Sequence, residues 1–410
     1  MANQTSTNLT GAVTTRYTQA YQRAAEVARL YDQLAVPVSA PQFDLEQRRN
    51  LGSTYTFNFI SDMTPSVQSV SEVDDISTQL LRDATSTLTP VSLTDGLRWT
   101  QLLDLSAYTD YNAARYEVLG RNMMESVDNK AKAAALQGSL VVRAAARASL
   151  DAGTATHNWT EAGIWSAMAM AEGLKCPAYM DQRTGRAMYM AIAHPDAYYD
   201  LFHGGNVVSA AIYGGAGAGD VLFSGELGEI ANCKLIISPS AKVFGASGAD
   251  NASSMNTGSG YTLSQAENAL NTTIHITTAT NDSAGRYLTI GTEETGNTHF
   301  DDNERVRYVS GTTTATIVGQ GANGGLRFDH AIGTTVYNND AVYPVAYGSP
   351  KSLVKVYADE VGEYGEIVGP KTWGTVDQFT TLAWKWFGAY GRVAENYIVR
   401  GEYSSSLDNV

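Results

Sequence analysis

The residue types able to carry chemistry are few in this 410-residue sequence, and none of them converge in it. His157, His194, His203, His275, His299 and His330 show no pair at metal-ligand spacing, and neither Cys176 nor Cys233 lies beside a histidine. The glycine run at 214–219, GGAGAG, has Asp220 where a dinucleotide-binding turn needs its third glycine, and it lacks the lysine of a phosphate loop. It reads as a flexible loop. Glu293, Glu294, Asp301, Asp302 and Glu304 lack the residue order of a calcium loop, so a solvated β-turn face is expected there. Trp373, Trp384, Trp386, Phe387 and Tyr390 would make a ligand platform, yet packing in cores and interfaces is the commoner use of such rings. With no nucleophile beside its base and no paired acid and base, no reaction class is named. The expectation is a protein that is not an enzyme, with no catalytic residue, cofactor or metal.

Composition narrows the classes further. Charged residues make up 17% against a usual share of about 25%, while hydrophobic residues reach 43%, enough for a large core. At roughly 100 to 200 residues per domain, the length allows two or three domains. The balance of 28 basic against 42 acidic residues, 28 − 42 = −14, disfavours a general grip on nucleic acid through its phosphates. Two cysteines are too few for a disulfide framework and fit a reducing compartment. The first fifteen residues have no basic region followed by an apolar run, so no signal peptide is expected, and no stretch approaches the ~20 apolar residues of a membrane span. Synthesis and folding in cytosol follow as expectations.

The elements that must position any site come next. Tyr17, Tyr21, Ala24, Ala25, Ala28 and Tyr31 recur at the spacing of one helix face, predicting an amphipathic helix over 16–35, stopped at Val36-Pro37. Residues 51–60, LGSTYTFNFI, alternate as a strand with Tyr55, Phe57 and Phe59 on one face. After a polar interval, 97–105 returns as a strand-like run. Residues 51–105 thus read as a two-stranded excursion that cannot stand alone in water. Residues 108–150 read as one very long helix, and 160–173 as a second, with Thr160 as its cap and Gly173 as its end. A strand at 186–193, a short helix from His194-Pro195-Asp196 to Phe202 and a strand at 229–238 follow. From 250 to 345, lysine is absent and short strands crowd together at 273–277, 287–290, 306–309 and 314–318, predicting an all-β module. A strand at 353–357, a helix at 373–390 and a strand at 392–400 complete the expectation.

This order of arm, excursion, long helix, strand-helix region and β-rich distal region resembles the Hong Kong 97-type major capsid proteins of tailed bacteriophages. Local wording is closer still, in Gly52-Ser53-Thr54-Tyr55-Thr56-Phe57-Asn58, Ile192-Ala193-His194-Pro195 with Tyr199-Asp200-Leu201, Gly225-Glu226-Leu227-Gly228-Glu229-Ile230 before Lys234-Leu235-Ile236-Ile237-Ser238, and Ala383-Trp384-Lys385. These phrases look like the coliphage N-four-type branch.

The resemblance implies an α+β, Hong Kong 97-like phage capsid fold. Its parts would be an N-arm at 1–40, an E-loop hairpin and base at 41–105, a peripheral P-domain with the spine helix at 106–203, an axial A-domain at 204–249 and 346–385, an inserted all-β domain at 250–345, and a terminal strand of the P-domain at 386–410. It implies a major capsid protein that self-assembles as hexamers and pentamers into an icosahedral shell around double-stranded DNA, without sequence-specific binding and without a membrane. Scaffolding, portal and decoration proteins are the implied partners, the virion capsid its location, and the host cytoplasm its site of assembly. Nothing in the sequence supports the lysine–asparagine cross-link of the founding member, so closure is expected to be non-covalent. On this reading Tyr17, Tyr21, Tyr31, Tyr55, Phe57, Phe59, Trp99, Leu102 and Leu103 make contacts between subunits. A tail or fibre protein and an intracellular enzyme with a glycine-rich loop are the alternatives.

Overall fold

A computed structural model describes residues 30–39, 54–60, 83–106, 112–145, 155–180, 187–203, 229–230, 232–245, 261–277, 287–291, 303–338, 341–358, 365–374, 377–392 and 394–409, with positions 63, 65, 78, 80 and 150. Its contacts divide the chain into two units, one of Met1–Val27, Pro37–Val127 and Val354–Ala394, the other of Ala28–Val36, Asp128–Leu353 and Glu395–Val410.

The core of the first unit forms where a helix meets a sheet. Leu119, Met123 and Val127 recur every fourth residue on the long helix Asn112–Leu136, which puts them on one face. They pack against Leu382, Trp384 and Trp386, every second residue of the strand Phe379–Arg392. That strand pairs with Val91–Thr100 and with Glu366–Trp373 in a five-stranded sheet that also holds Leu353–Tyr357 and Ala35–Ser39. A hydrogen bond of 2.8 Å from the Trp384 indole to Asn122 Oδ1 fixes the helix at one height on the sheet.

The helix expected at 373–390 is therefore a β-hairpin. Its period is two, not 3.6, and its aromatic and β-branched residues favour a pleated, half-buried surface. The expected strand at 97–105 is likewise split into the strand Val91–Thr100 and the short helix Gln101–Ser106. That strand joins Phe379–Arg392, while Tyr55–Ile60 pairs with Asp83–Leu88 in a separate two-stranded ribbon.

In the second unit an eight-stranded mixed sheet runs in the order Val141–Arg143, Val399–Tyr403, Ala341–Gly348, Ala187–Ala193, Cys233–Ile237, Glu229–Ile230, with Phe244–Gly245 and Tyr179–Met180 pairing at its flanks. The helix Glu161–Gly173 starts where expected, with the Thr160 hydroxyl accepting from the Gly163 N–H at 3.4 Å. Its buried face, Ile164, Ala167, Met168 and Ala171, joins Trp159, Tyr347 and Tyr403 in the main core. Burial there leaves no polar tip idle, since Trp159 Nε1 donates to the Tyr347 hydroxyl at 2.8 Å and Tyr347 meets Tyr403 at 3.2 Å. A Cβ on Gly163 would sit 2.9 Å from the Tyr403 ring, so glycine is what allows this close approach.

Three expected lengths need correction. The long helix stops at Leu136 instead of 150, because Gln137 and Gly138 break it and Val141–Arg143 is recruited as a parallel partner of Val399–Tyr403. The expected strand at 392–400 becomes the 3-10 turn Glu395–Tyr397 followed by Val399–Tyr403. Of the helix expected to reach Ala35, the described part is the 3-10 turn Tyr31–Leu34, and Ala35 already begins a strand; positions 16–29 lie outside the described residues. Two expected domain limits also fall inside continuous structure. Ala187–Ala193 and Cys233–Ile237 are parallel neighbours in one sheet across the limit at 203/204, and Phe379–Arg392 runs through that at 385/386.

Six strands between Tyr261 and Asn338 form a sheet of their own, in the order Tyr261–Thr262, Thr335–Asn338, Tyr287–Ile290, Glu304–Gly311, Thr314–Val318, Thr273–His275. Its two end strands meet. Leu263 bridges Ile276, Ser264 N–H donates to His275 O at 2.9 Å, and Thr277 N–H donates to Thr262 O at 2.9 Å. The sheet is thereby a closed barrel. Leu288, Ile290, Val306, Tyr308, Ala315 and Ile317 alternate inward to fill it. Its stem is the antiparallel pair Phe244–Gly245 and Ala341–Val342, in register Phe244 with Val342 and Gly245 with Ala341. The strand Ala341–Gly348 belongs to the eight-stranded sheet, so the independent β-structure ends before the expected limit at 345.

Candidate functional site

Among the described residues, no three of His, Cys, Asp and Glu gather in a way that would hold a metal. Both thiols are buried, and burial raises the pKa of each, which withdraws them from nucleophilic use. Glu304, expected on a solvated face, instead lies inside the barrel. It contacts His330 Nε2 at 2.7 Å and accepts from the Arg327 and Phe328 N–H groups at 3.0 and 3.3 Å. Glu267, also buried, takes His275 Nδ1 at 2.8 Å. The other acidic positions, Glu293, Glu294, Asp301 and Asp302, and the glycine run at 214–219 lie outside the described residues.

What the first unit does present, among the described residues, is exposed apolar surface on a braced support. At the end of Val91–Thr100 the Trp99 indole donates to Asp104 Oδ2 at 2.6 Å, while Arg115 pairs with Asp104 Oδ1 at 2.7 Å and stacks 4.2 Å above the Trp99 ring. Gln101 N–H is tied to Gln378 O at 2.8 Å. Held this way, the helix Gln101–Ser106 leaves Leu102 73% and Leu105 82% exposed, with Leu103 also exposed. Exposed leucines are unremarkable singly, whereas three on six residues of one braced helix make a contiguous apolar edge. On the same sheet Arg98 is clasped between Trp373 and Phe379, 4.1 and 4.2 Å from their ring centres, and Trp373 keeps 45% of its surface in solvent.

Among the described residues the ribbon Tyr55–Ile60 with Asp83–Leu88 hydrogen-bonds to no third strand, though Leu88 lies against Gly391 of the long strand. Its register places Tyr55 opposite Leu88, Phe57 opposite Ser86 and Phe59 opposite Ala84. Tyr55 is half-buried, and Thr54, Thr56, Thr85 and Thr87 are exposed. A two-stranded ribbon of this kind is marginal without a surface to lie on.

The residues expected to touch other subunits are thus sorted. Leu102 and Leu103 are exposed, Tyr55 and Trp99 are half-buried, and Tyr17 and Tyr21 lie outside the described residues. Tyr31 requires correction, because it is fully buried inside its own chain. Asp128 Oδ1 accepts from the N–H groups of Tyr31 and Asp32 at 3.1 and 3.2 Å, and the Lys132 ammonium lies 6.0 Å from the Tyr31 ring centre. Sequence reading missed Leu105, although its spacing of three from Leu102 on a short helix was a usable signal. It also missed the exposed Tyr116 and Val118 on the long helix, which alternation alone does not separate from core residues.

No family model and no curated protein matches the chain. Solved structures do. The capsid structure of cyanophage P-SCSP1u matches with a TM-score of 0.51 and 11% identity over 93% of this chain and 89% of that one. The capsid of Ralstonia phage GP4 gives 0.51 and 11% over 94% and 91%. The acidic stable capsid of Helicobacter pylori bacteriophage KHP30 gives 0.50 and 11% over 96% and 92%. Helix on sheet, lone ribbon and mixed sheet together make up, nearly end to end, the fold of bacteriophage capsid proteins.

Proposed function

We propose that the chain is a major capsid protein, assembling as hexamers and pentamers into the icosahedral shell that encloses the double-stranded DNA of a tailed phage. The observation that carries this reading is the span of the likeness, 93 to 96% of the chain on three phage capsids, with no segment left over large enough for a separate active domain. The ribbon without a third strand and the braced leucines at Gln101–Ser106 support it, since both are surfaces that gain by burial against another copy.

In this reading the fold is Hong Kong 97-like, of the coliphage N-four-type branch. The ribbon is the E-loop, Asn112–Leu136 the spine helix, and the barrel an inserted domain. Shell closure is non-covalent, scaffolding, portal and decoration proteins are the partners, and assembly takes place in host cytoplasm. Interfaces of such obligate assemblies bury roughly 2,000 to 5,000 Å² per pair. Light scattering and negative-stain microscopy of the purified chain, alone and with its genomic neighbours, test the reading. Capsomers or closed shells are expected; a monomer that persists at high concentration in every salt and with every candidate scaffold overturns it.

A further inference from the structure

Arg305 reaches from the barrel strand Glu304–Gly311 to the eight-stranded-sheet domain and is buried there. Val306 and Tyr308 on the same strand point inward, so Arg305 points out of the barrel. Its guanidinium pairs with Asp196 in the first turn of the helix Pro195–His203. It also lies 3.6 Å from the Tyr287 ring centre, on the neighbouring barrel strand, and 5.3 Å from that of Tyr343, on the central strand of the large sheet. His194 completes the cluster, its Nδ1 3.2 Å from Asp196 Oδ2 and its ring 5.5 Å from Tyr343.

A cation buried between two cores is costly unless it is paired, and replacing such a pair by apolar residues is often no loss of stability. Here the barrel has an apolar core of its own, and Arg305 points away from it. Its covalent attachment is the stem at Gly245 and Ala341, whose two chains leave side by side. Two strands leaving at one point form a hinge. Across the junction Lys242 also lies 4.8 Å from the Phe328 ring centre, and Gln320 donates to Pro239 O at 3.4 Å.

We infer that Arg305 and Asp196 form a latch that sets the orientation of the barrel on its stem, and that His194 makes this latch sensitive to acid. The inference is independent of how the chain assembles. The groups facing His194 are Asp196 from the helix that follows it, Arg305 from the barrel and Tyr343 from the large sheet. Burial first, and the Arg305 charge second, hold the His194 pKa down at about 3 against an ordinary 6.5. The sign follows from linkage: the latched state resists protonation, so its advantage is complete above about pH 6.5 and declines as pH falls toward 3. When His194 is freed and protonated, the ratio of latched to open molecules falls by up to about tenfold per pH unit in that window.

The test places spin labels on the full-length chain at two exposed sites, Val318→Cys on the barrel and Glu172→Cys on the helix Glu161–Gly173, and measures their separation by pulsed electron resonance. At pH 7.5 one narrow distance population is expected, and Arg305→Gln or Asp196→Asn should split it into at least two. Acidification to pH 4.5 should do the same to the parent chain and leave a His194→Gln variant unchanged. Hydrogen exchange at Leu288 and Val306 serves as the control for barrel integrity. A single unchanged distance in Arg305→Gln overturns the latch, as does loss of barrel protection in that variant, which would make Arg305 a folding residue. Equal acid response in the parent and His194→Gln overturns the role of the histidine.

Discussion

Trp99 and Asp104, five residues apart, are joined by an indole-to-carboxylate hydrogen bond of 2.6 Å that turns the end of a strand into the start of a helix. Arg115 from the long helix closes over both. The edge carrying Leu102, Leu103 and Leu105 is therefore presented in one orientation before any partner arrives, which lowers the ordering cost of association.

Replacing Leu102 and Leu105 together with Ser should leave the thermal midpoint of the unassembled chain within about a degree or two, because both side chains are mainly in solvent. Assembly should suffer, since each leucine contributes about 1.5 to 3 kcal/mol once buried. Light scattering should show the critical concentration rising at least tenfold. An unchanged value would remove this edge from the interface.

Replacing Phe57 and Phe59 with Ser should abolish assembly while far-ultraviolet circular dichroism of the monomer stays the same, because among the described residues the ribbon hydrogen-bonds to no third strand. Unfolding of the monomer would instead make the ribbon part of the core.

Glu304→Ala should melt the barrel selectively. It strands His330 and the N–H groups of Arg327 and Phe328 without an acceptor, each buried group left unsatisfied costing about 1 to 3 kcal/mol. Hydrogen exchange should accelerate at Leu288, Val306 and Ile317, with the strand Ala187–Ala193 unaffected. Equal acceleration in both would show that the two cores fold as one.

Residues 246–340 expressed alone should fold, since the barrel closes on its own core. Dispersed amide signals by nuclear magnetic resonance are expected. A collapsed random-coil spectrum would show dependence on the parent sheet.

Neither Cys176 nor Cys233 should react with an aromatic disulfide reagent at pH 8 in the native state, and both should react in denaturant. Burial holds the Cys233 thiol well above the ordinary range, while Cys176 donates to Asn396 O. Fast native labelling at either site would show that its surroundings open readily.

Legibility in the sequence followed the range of the deciding interaction. The helix capped by Thr160 and the strands Tyr287–Ile290, Thr314–Val318 and Leu353–Tyr357 were readable because cap, alternation and turn residues lie within a few positions. The hairpin at Glu366–Trp373 and Phe379–Arg392 was not, because a stretch dense in Trp, Ala and Leu fits a helix until the partner Val91–Thr100 is known, nearly three hundred residues away. The end of the long helix was missed for the same reason, since what claims Val141–Arg143 is Val399–Tyr403. Of the candidate surface, the ribbon and the leucines were visible as apolar residues with no local use. The burial of Tyr31 depends on Asp128, ninety-seven positions on, and the pairing of Arg305 with Asp196 joins different elements; no spacing rule reaches either.

The stem of the barrel has a consequence for how such chains diversify. Cα atoms paired across an antiparallel ladder lie about 4.5 to 5.5 Å apart, so Gly245 and Ala341 offer two chain ends at nearly one point. Any module whose own termini are neighbours can be spliced there without stretching the parent sheet. The strand Ala341–Gly348, buried along its whole length, anchors that point in the parent sheet.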